Sequence, residues 1–144
     1  ALGVPVVGAS RFAVTAAAAA APADPRPMLV ALDARRAELC LQHAAPDGTP
    51  MGEPWTAEPA ALPGRVPKGP LRVAGDAADP AAAALEAAGR TVGRVPGTAA
   101  TDPEALGRVL AAAAAAGNAD RPRPLYLRGA DVTLPGGHAT VSTA

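Results

Sequence analysis

The clearest pattern in the chain is an unbroken apolar run, Met28-Leu29-Val30-Ala31-Leu32, followed by a charged interruption and then by alternation. A run of that length without polar breaks predicts a strand. Asp33, Arg35, Arg36 and Glu38 form the interruption, after which Leu39 and Leu41 fall on one side and Cys40 and Gln42 on the other. Two strands around a polar tip predict an antiparallel hairpin, with Asp33 closing the turn through its carboxylate. Upstream, the β-branched "VPVV" at residues 4–7 predicts a short strand. Ser10 then stands where an N-cap is needed for an alanine-rich helix over residues 11–21, which Pro22 would end.

Further along the periodicity is interrupted. Residues 46–70 are punctuated by proline and predict a long irregular excursion, with one helical turn at "EPAAL" and with Trp55 pinning the loop to the body or anchoring a partner. "LRVAGDAA" reads as strand then turn, Asp79-Pro80 as the opening of a helix to residue 88, and Gly89 as its end. "TVGRVP" predicts a short strand. Residues 101–117 carry the strongest helical signal: Thr101 and Glu104 at capping-box spacing, Pro103 in the first turn, and Gly117 as terminator. Leu106, Val109 and Leu110 supply its apolar face. "LYL" at 125–127 is short and apolar, and residues 136–144 read as a disordered polar tail. The order β, α, β, β, loop, β, α, β, α predicts an α/β fold, a mixed β-sheet with flanking helices.

Composition narrows the picture. A chain of 144 residues makes one domain, and with 49% hydrophobic but 2% aromatic residues its core must be built from Ala, Val and Leu. Thirteen basic and thirteen acidic residues cancel, which argues against direct, strong nucleic-acid binding. One cysteine excludes an internal disulfide and fits a reducing compartment. No stretch approaches the ~18 apolar residues of a membrane span, so a cytoplasmic protein is expected, with no membrane partner. The opening "ALG" looks like the last turn of a helix closed by glycine, which predicts a chain entered in the middle of a fold.

The search for chemistry assigns no catalytic, cofactor-binding or metal-binding residue. His43 and His138 are far apart and belong to no HxxxH or HExxH pair, and Cys40 has no CxxC partner. Cys40 and His43 are three apart on a predicted strand and so point to opposite faces, which disfavours a thiolate–imidazolium pair. Neither GxxxxGK[ST] nor GxGxxG occurs. Gly75-Asp76 follows a strand, where nucleotide sites often form, but a turn-capping Asp76 is the simpler reading. No G-x-S-x-G elbow or paired-carboxylate arrangement is present.

Four stretches in order, "ALGVPVVGAS", "LVALDARRAELCLQ", "VAGDAA" and "PLYLRGADVTLP", resemble the TsaB (YeaZ) family of bacterial tRNA threonylcarbamoyladenosine (t6A) biosynthesis. Ala37 stands where that family usually has glycine, Cys40 where an aromatic is common, and "GADVT" where a "PDA" pattern is usual. The resemblance implies the second lobe of an actin/Hsp70-like ATPase (ribonuclease H-like) fold over residues 1–135, with the N-terminal lobe absent. It also implies a non-catalytic scaffold that binds a TsaD-like partner and a TsaE-like ATPase, with a possible homodimer, no cofactor, and tRNA met only indirectly through the complex. The alternative it carries is a glycoprotease-type peptidase, by kinship with the metal-binding paralogue. A third reading is a nucleotide-binding lobe using Asp76.

Overall fold

A computed structural model describes residues 6–117, 124–127, 133–134 and 137–138. Strand β1 (Met28–Asp33) lies at the centre of a five-stranded mixed sheet. It pairs antiparallel with β2 (Leu39–Ala44), which pairs antiparallel with β3 (Pro50–Ala57) at one edge. On its other side β1 runs parallel to β4 (Leu71–Ala74), and β4 parallel to β5 (Val92–Arg94) at the far edge. The predicted α/β class with a mixed, helix-covered sheet is therefore the observed one.

The apolar run of β1 is explained by its place. Leu29 and Ala31 point into a cluster closed by Leu62 of the short α2 (Leu62–Arg65) and by Ala81, Ala82 and Leu85 of α3 (Ala78–Ala87). Met28, Val30 and Leu32 point the other way, against Phe12 and Ala16 of α1 (Arg11–Ala18). Each of these β1 side chains is at most 5% exposed, so both faces of the strand are core. Alanine at the buried helix positions lets the helices approach the sheet closely, in place of the missing aromatics. The helix α4 (Pro103–Ala115) packs beside α1. Ala105 is its buried residue, with Leu106, Val109 and Leu110 half-buried.

Several expectations need correcting. Residues 50–57, read as part of an irregular loop, form the edge strand β3. Pro50, Gly52 and Pro54 hide it from a propensity reading, but an edge strand tolerates prolines because one side of its backbone has no partner strand. Its register with β2 shifts between Leu41 and His43, and Gln42 Nε2 fills in by donating to the Gly52 carbonyl (2.8 Å). Val6 and Val7 form no strand, and residues 4–5 lie outside the described residues. Residues 125–127 are likewise irregular. Helix α1 keeps Ser10 as its cap (Ala13 N–H to Ser10 Oγ, 3.1 Å) but stops at Ala18. Helix α3 begins one residue before Asp79. The cap of α4 is Asp102, whose carboxylate accepts from Ala105 N–H (2.8 Å), not Thr101. Pro103 at the first helical position makes its predecessor the cap, and aspartate caps at least as well as threonine. The predicted turn at "EPAAL" is present as a 3₁₀ turn (Pro59–Ala61) leading into α2. Of the expected tail, Gly137–His138 pair with Thr133–Leu134, and the remaining residues lie outside the described ones.

Candidate functional site

In parallel α/β sheets ligands gather beyond the carboxyl ends of the strands, and there the chain brings together Asp33, Gly75, Asp76, Arg11 and Thr98. Gly75 has φ +113, and a Cβ there would be driven into the Ala31 carbonyl oxygen, well under the 3.0 Å that Cβ atoms respect. Its N–H donates to Thr98 Oγ1 (2.9 Å), and the Ala31 oxygen accepts from Ala77 N–H (3.1 Å). The turn is thus pressed against the end of β1, which carries Asp76 over the neighbouring strand. Asp76 Oδ1 accepts from the backbone N–H of Asp33 (2.9 Å), and Oδ2 accepts from Arg11 Nη2 (2.9 Å). Arg11 Nη2 also reaches the Ala99 carbonyl at 3.3 Å. Both Asp76 oxygens therefore hold the fold together, capping the end of β1 and securing the first turn of α1.

The polar tip follows directly. Asp33 Oδ1 accepts from Arg35 N–H at 2.6 Å, closing the turn as its position in the sequence predicts. Arg35 pays for that turn with φ +58, a conformation that costs an L-residue about 1–2 kcal/mol. Its side chain is 91% exposed, and its Nε stands 3.9 Å from Asp33 Oδ2. Arg36 and Glu38 complete the tip, each with an interaction of its own.

The remaining candidates are separated by the sheet. Cys40 lies opposite Leu32 and packs on the α1 side. Burial raises its thiol pKa, and the nearby carboxylates of Asp33 and Asp76 raise it further, so the nucleophilic thiolate is disfavoured. His43 lies opposite Leu29 on the other face, half-buried, its ring 6.2 Å from that of Trp55. Burial lowers the His43 pKa. Trp55 sits in β3 against the α3-side core, with the Arg65 guanidinium 4.3 Å over its ring and Arg65 Nη1 donating to the Thr56 carbonyl (3.0 Å). It pins the short α2 to the edge strand. The side chain of His138 lies outside the described residues. No group of three potential metal ligands occurs among the described residues, and no helix among them is long and apolar enough to cross a membrane.

Two organising residues carried little signal in the sequence. Arg72 is 4% exposed inside β4, and it donates to the Ala19 carbonyl (2.9 Å) and the Pro46 carbonyl (3.3 Å). Asp24 Oδ2 lies 3.6 Å from its Nε. Arg11 reads as an ordinary first-turn cation until the fold puts Asp76 beside it. A charge inside an otherwise apolar strand is the one hint available for Arg72, and none exists for the pairing of Arg11.

No family model and no curated protein matches this chain. Among solved structures it is similar to the crystal structure of an uncharacterized protein with similarity to peptidase YeaZ from Pseudomonas aeruginosa, with a TM-score of 0.64 at 21% sequence identity. The match covers 86% of this chain and 59% of that one, so the chain spans less than two thirds of its neighbour's length. The likeness is one of fold: this chain folds as a mixed, helix-covered sheet similar to that of a YeaZ-like protein.

Proposed function

We propose that this chain is the second lobe of a TsaB-like scaffold, a non-catalytic subunit that supports t6A modification of tRNA by binding a TsaD-like partner. The observation that carries the proposal is the fold likeness to a YeaZ-like protein over 86% of the chain, joined to the four-motif resemblance in the sequence. The commitment of both Asp76 oxygens to Asp33 N–H and Arg11 supports it over the nucleotide-binding reading, because that carboxylate already serves the fold. Co-purification of the full-length protein with the TsaD-like partner is expected, as is loss of t6A formation in a reconstituted system that omits it. Modification that proceeds unchanged without the protein would refute the scaffold role.

The second reading, a glycoprotease-type hydrolase, draws on the neighbour's described similarity to a peptidase. Cys40 is a poor nucleophile for it, since burial and two carboxylates favour the protonated thiol. Cleavage of a sialoglycoprotein by purified full-length protein, lost on chelation, would put the hydrolase first. Calorimetry with ATP, together with Asp76→Ala, tests the nucleotide reading; binding heat that disappears in the variant would establish it.

A further inference from the structure

We propose that the β3 edge is built to refuse a further strand, which keeps a second copy of this chain from extending the sheet; the inference stands apart from the scaffold reading. The sheet ends at β3 on one side and at β5 on the other. β5 has three residues, too few for a long ladder, whereas β3 has eight. An edge of that length is a template for strand addition, because its outer N–H and C=O groups have no ladder of their own. Met51 pairs with His43 and Trp55 with Leu41, so both side chains lie on one face beside the edge. Met51 is 53% exposed and Trp55 half-buried, which would give an added strand apolar surface to cover.

Successive residues of a paired strand alternately face the partner strand and face away. The Thr49 carbonyl accepts from Ala45 N–H (2.8 Å) and so faces inward, which turns Pro50 outward. At the other end the Thr56 carbonyl accepts from Arg65 Nη1 (3.0 Å), a donor outside the sheet. Thr56 therefore faces outward, and so does Pro54 two residues before it. Proline has no N–H, so positions 50 and 54 offer an incoming strand no donor. The Thr56 acceptor is taken by Arg65, whose guanidinium also lies 4.3 Å over the Trp55 ring. Between these positions the register shift and Gly52, at φ +69, put the strand out of line, and Gln42 Nε2 takes the Gly52 carbonyl (2.8 Å). Missing donors, an occupied acceptor and a bulge are three separate ways of closing an edge, and all fall on this one strand.

The test uses the full-length protein, with mass read by light scattering over a concentration series and amide exchange read by NMR. The opened-edge variant Pro50→Thr/Pro54→Thr/Arg65→Ala is expected to show about twice the parent's mass at high concentration, the two-fold pairing of one β3 with another. Its Thr56 N–H should become protected from exchange, a local change that aggregation through unfolding would not produce. In the parent the same amide should exchange freely. Parent-like mass in a variant with the parent's circular dichroism would overturn the guard, as would a mass increase that leaves Thr56 N–H unprotected. Protection of Thr56 N–H in the parent would also overturn it, since the edge would then already be covered. If the triple variant loses its circular dichroism, Pro54→Thr alone carries the same two readouts, and parent-like values for both would overturn the inference.

Discussion

Gly75→Ala and Gly107→Ala make the same chemical change and should move stability in opposite directions. At Gly75 the added methyl meets the Ala31 carbonyl oxygen far inside contact distance, with φ at +113. The unfavourable φ costs about 1–2 kcal/mol. Relief of the clash must shift the turn, which strains three hydrogen bonds: Ala77 N–H to Ala31 O, Gly75 N–H to Thr98 Oγ1, and Asp33 N–H to Asp76 Oδ1. At about 1 kcal/mol for each bond weakened, the total reaches roughly 4–5 kcal/mol, a large part of the ~5–15 kcal/mol that holds a domain together. Gly107 is exposed in the middle of α4, where a Cβ would meet nothing within 4 Å. There alanine gains roughly 0.8–1 kcal/mol of helix propensity. Urea and thermal unfolding followed by circular dichroism and Trp55 fluorescence would read both variants. The expected result is a midpoint lowered by roughly 10 °C for Gly75→Ala and raised by about 2–4 °C for Gly107→Ala. Equal, small effects at the two sites would refute the reasoning, because the close approach of the β4–α3 turn to β1 would then carry no energy.

Three further outcomes are expected. Asp102→Ala should lower stability by about 1 kcal/mol by removing the cap of α4, whereas Thr101→Ala should stay within about 0.5 kcal/mol of the parent; urea midpoints distinguish them. Asp24, hydrogen-bonded by Arg26, has its pKa lowered from 3.8 to about 2, so its contribution is complete above the unfolded value and is lost as pH falls through the folded one. Asp24→Asn should flatten the fall in stability between pH 4 and pH 2 in an acid titration followed by fluorescence. Cys40, its thiol pKa raised by burial and by Asp33 and Asp76, should react with a disulfide reagent more slowly than a free thiol at neutral pH. A rate equal to that of a model thiol would contradict the placement of those carboxylates.

What the sequence disclosed and what it concealed divide along physical lines. Local rules sufficed for β1, whose uninterrupted apolar run follows from burial on both faces, and for Ser10 and Gly117, whose roles depend on neighbours a few positions away. Cys40 and His43 could be placed on opposite faces from strand alternation alone. The edge strand β3 was concealed because Pro50, Gly52 and Pro54 lower propensity, while the pairing that forms the strand is supplied by β2. The candidate site was concealed more deeply. Asp76 is recognisable as a turn residue, but its partners Arg11 and Asp33 are 65 and 43 positions away. Arg72 finds its carbonyl partners 53 and 26 positions away. No local pattern encodes contacts of that reach.

The strand order also carries an expectation about how the chain assembles. Met28 meets Ala44 across the hairpin after sixteen residues but meets Arg72 in β4 only after forty-four. Closing the longer loop costs about 0.9 kcal/mol more in chain entropy, and parallel pairing offers no tight turn to seed it. The meander of β1, β2 and β3 is therefore expected to form first, with β4 docking afterwards as Arg72 closes over the end of α1 and the β2–β3 turn. Substitutions in the meander should slow folding, whereas those at Arg72 should mainly speed unfolding. On that order the buried arginine would be the clasp fastened last, and unfolding rates measured by stopped flow should respond to Arg72→Met more than folding rates do.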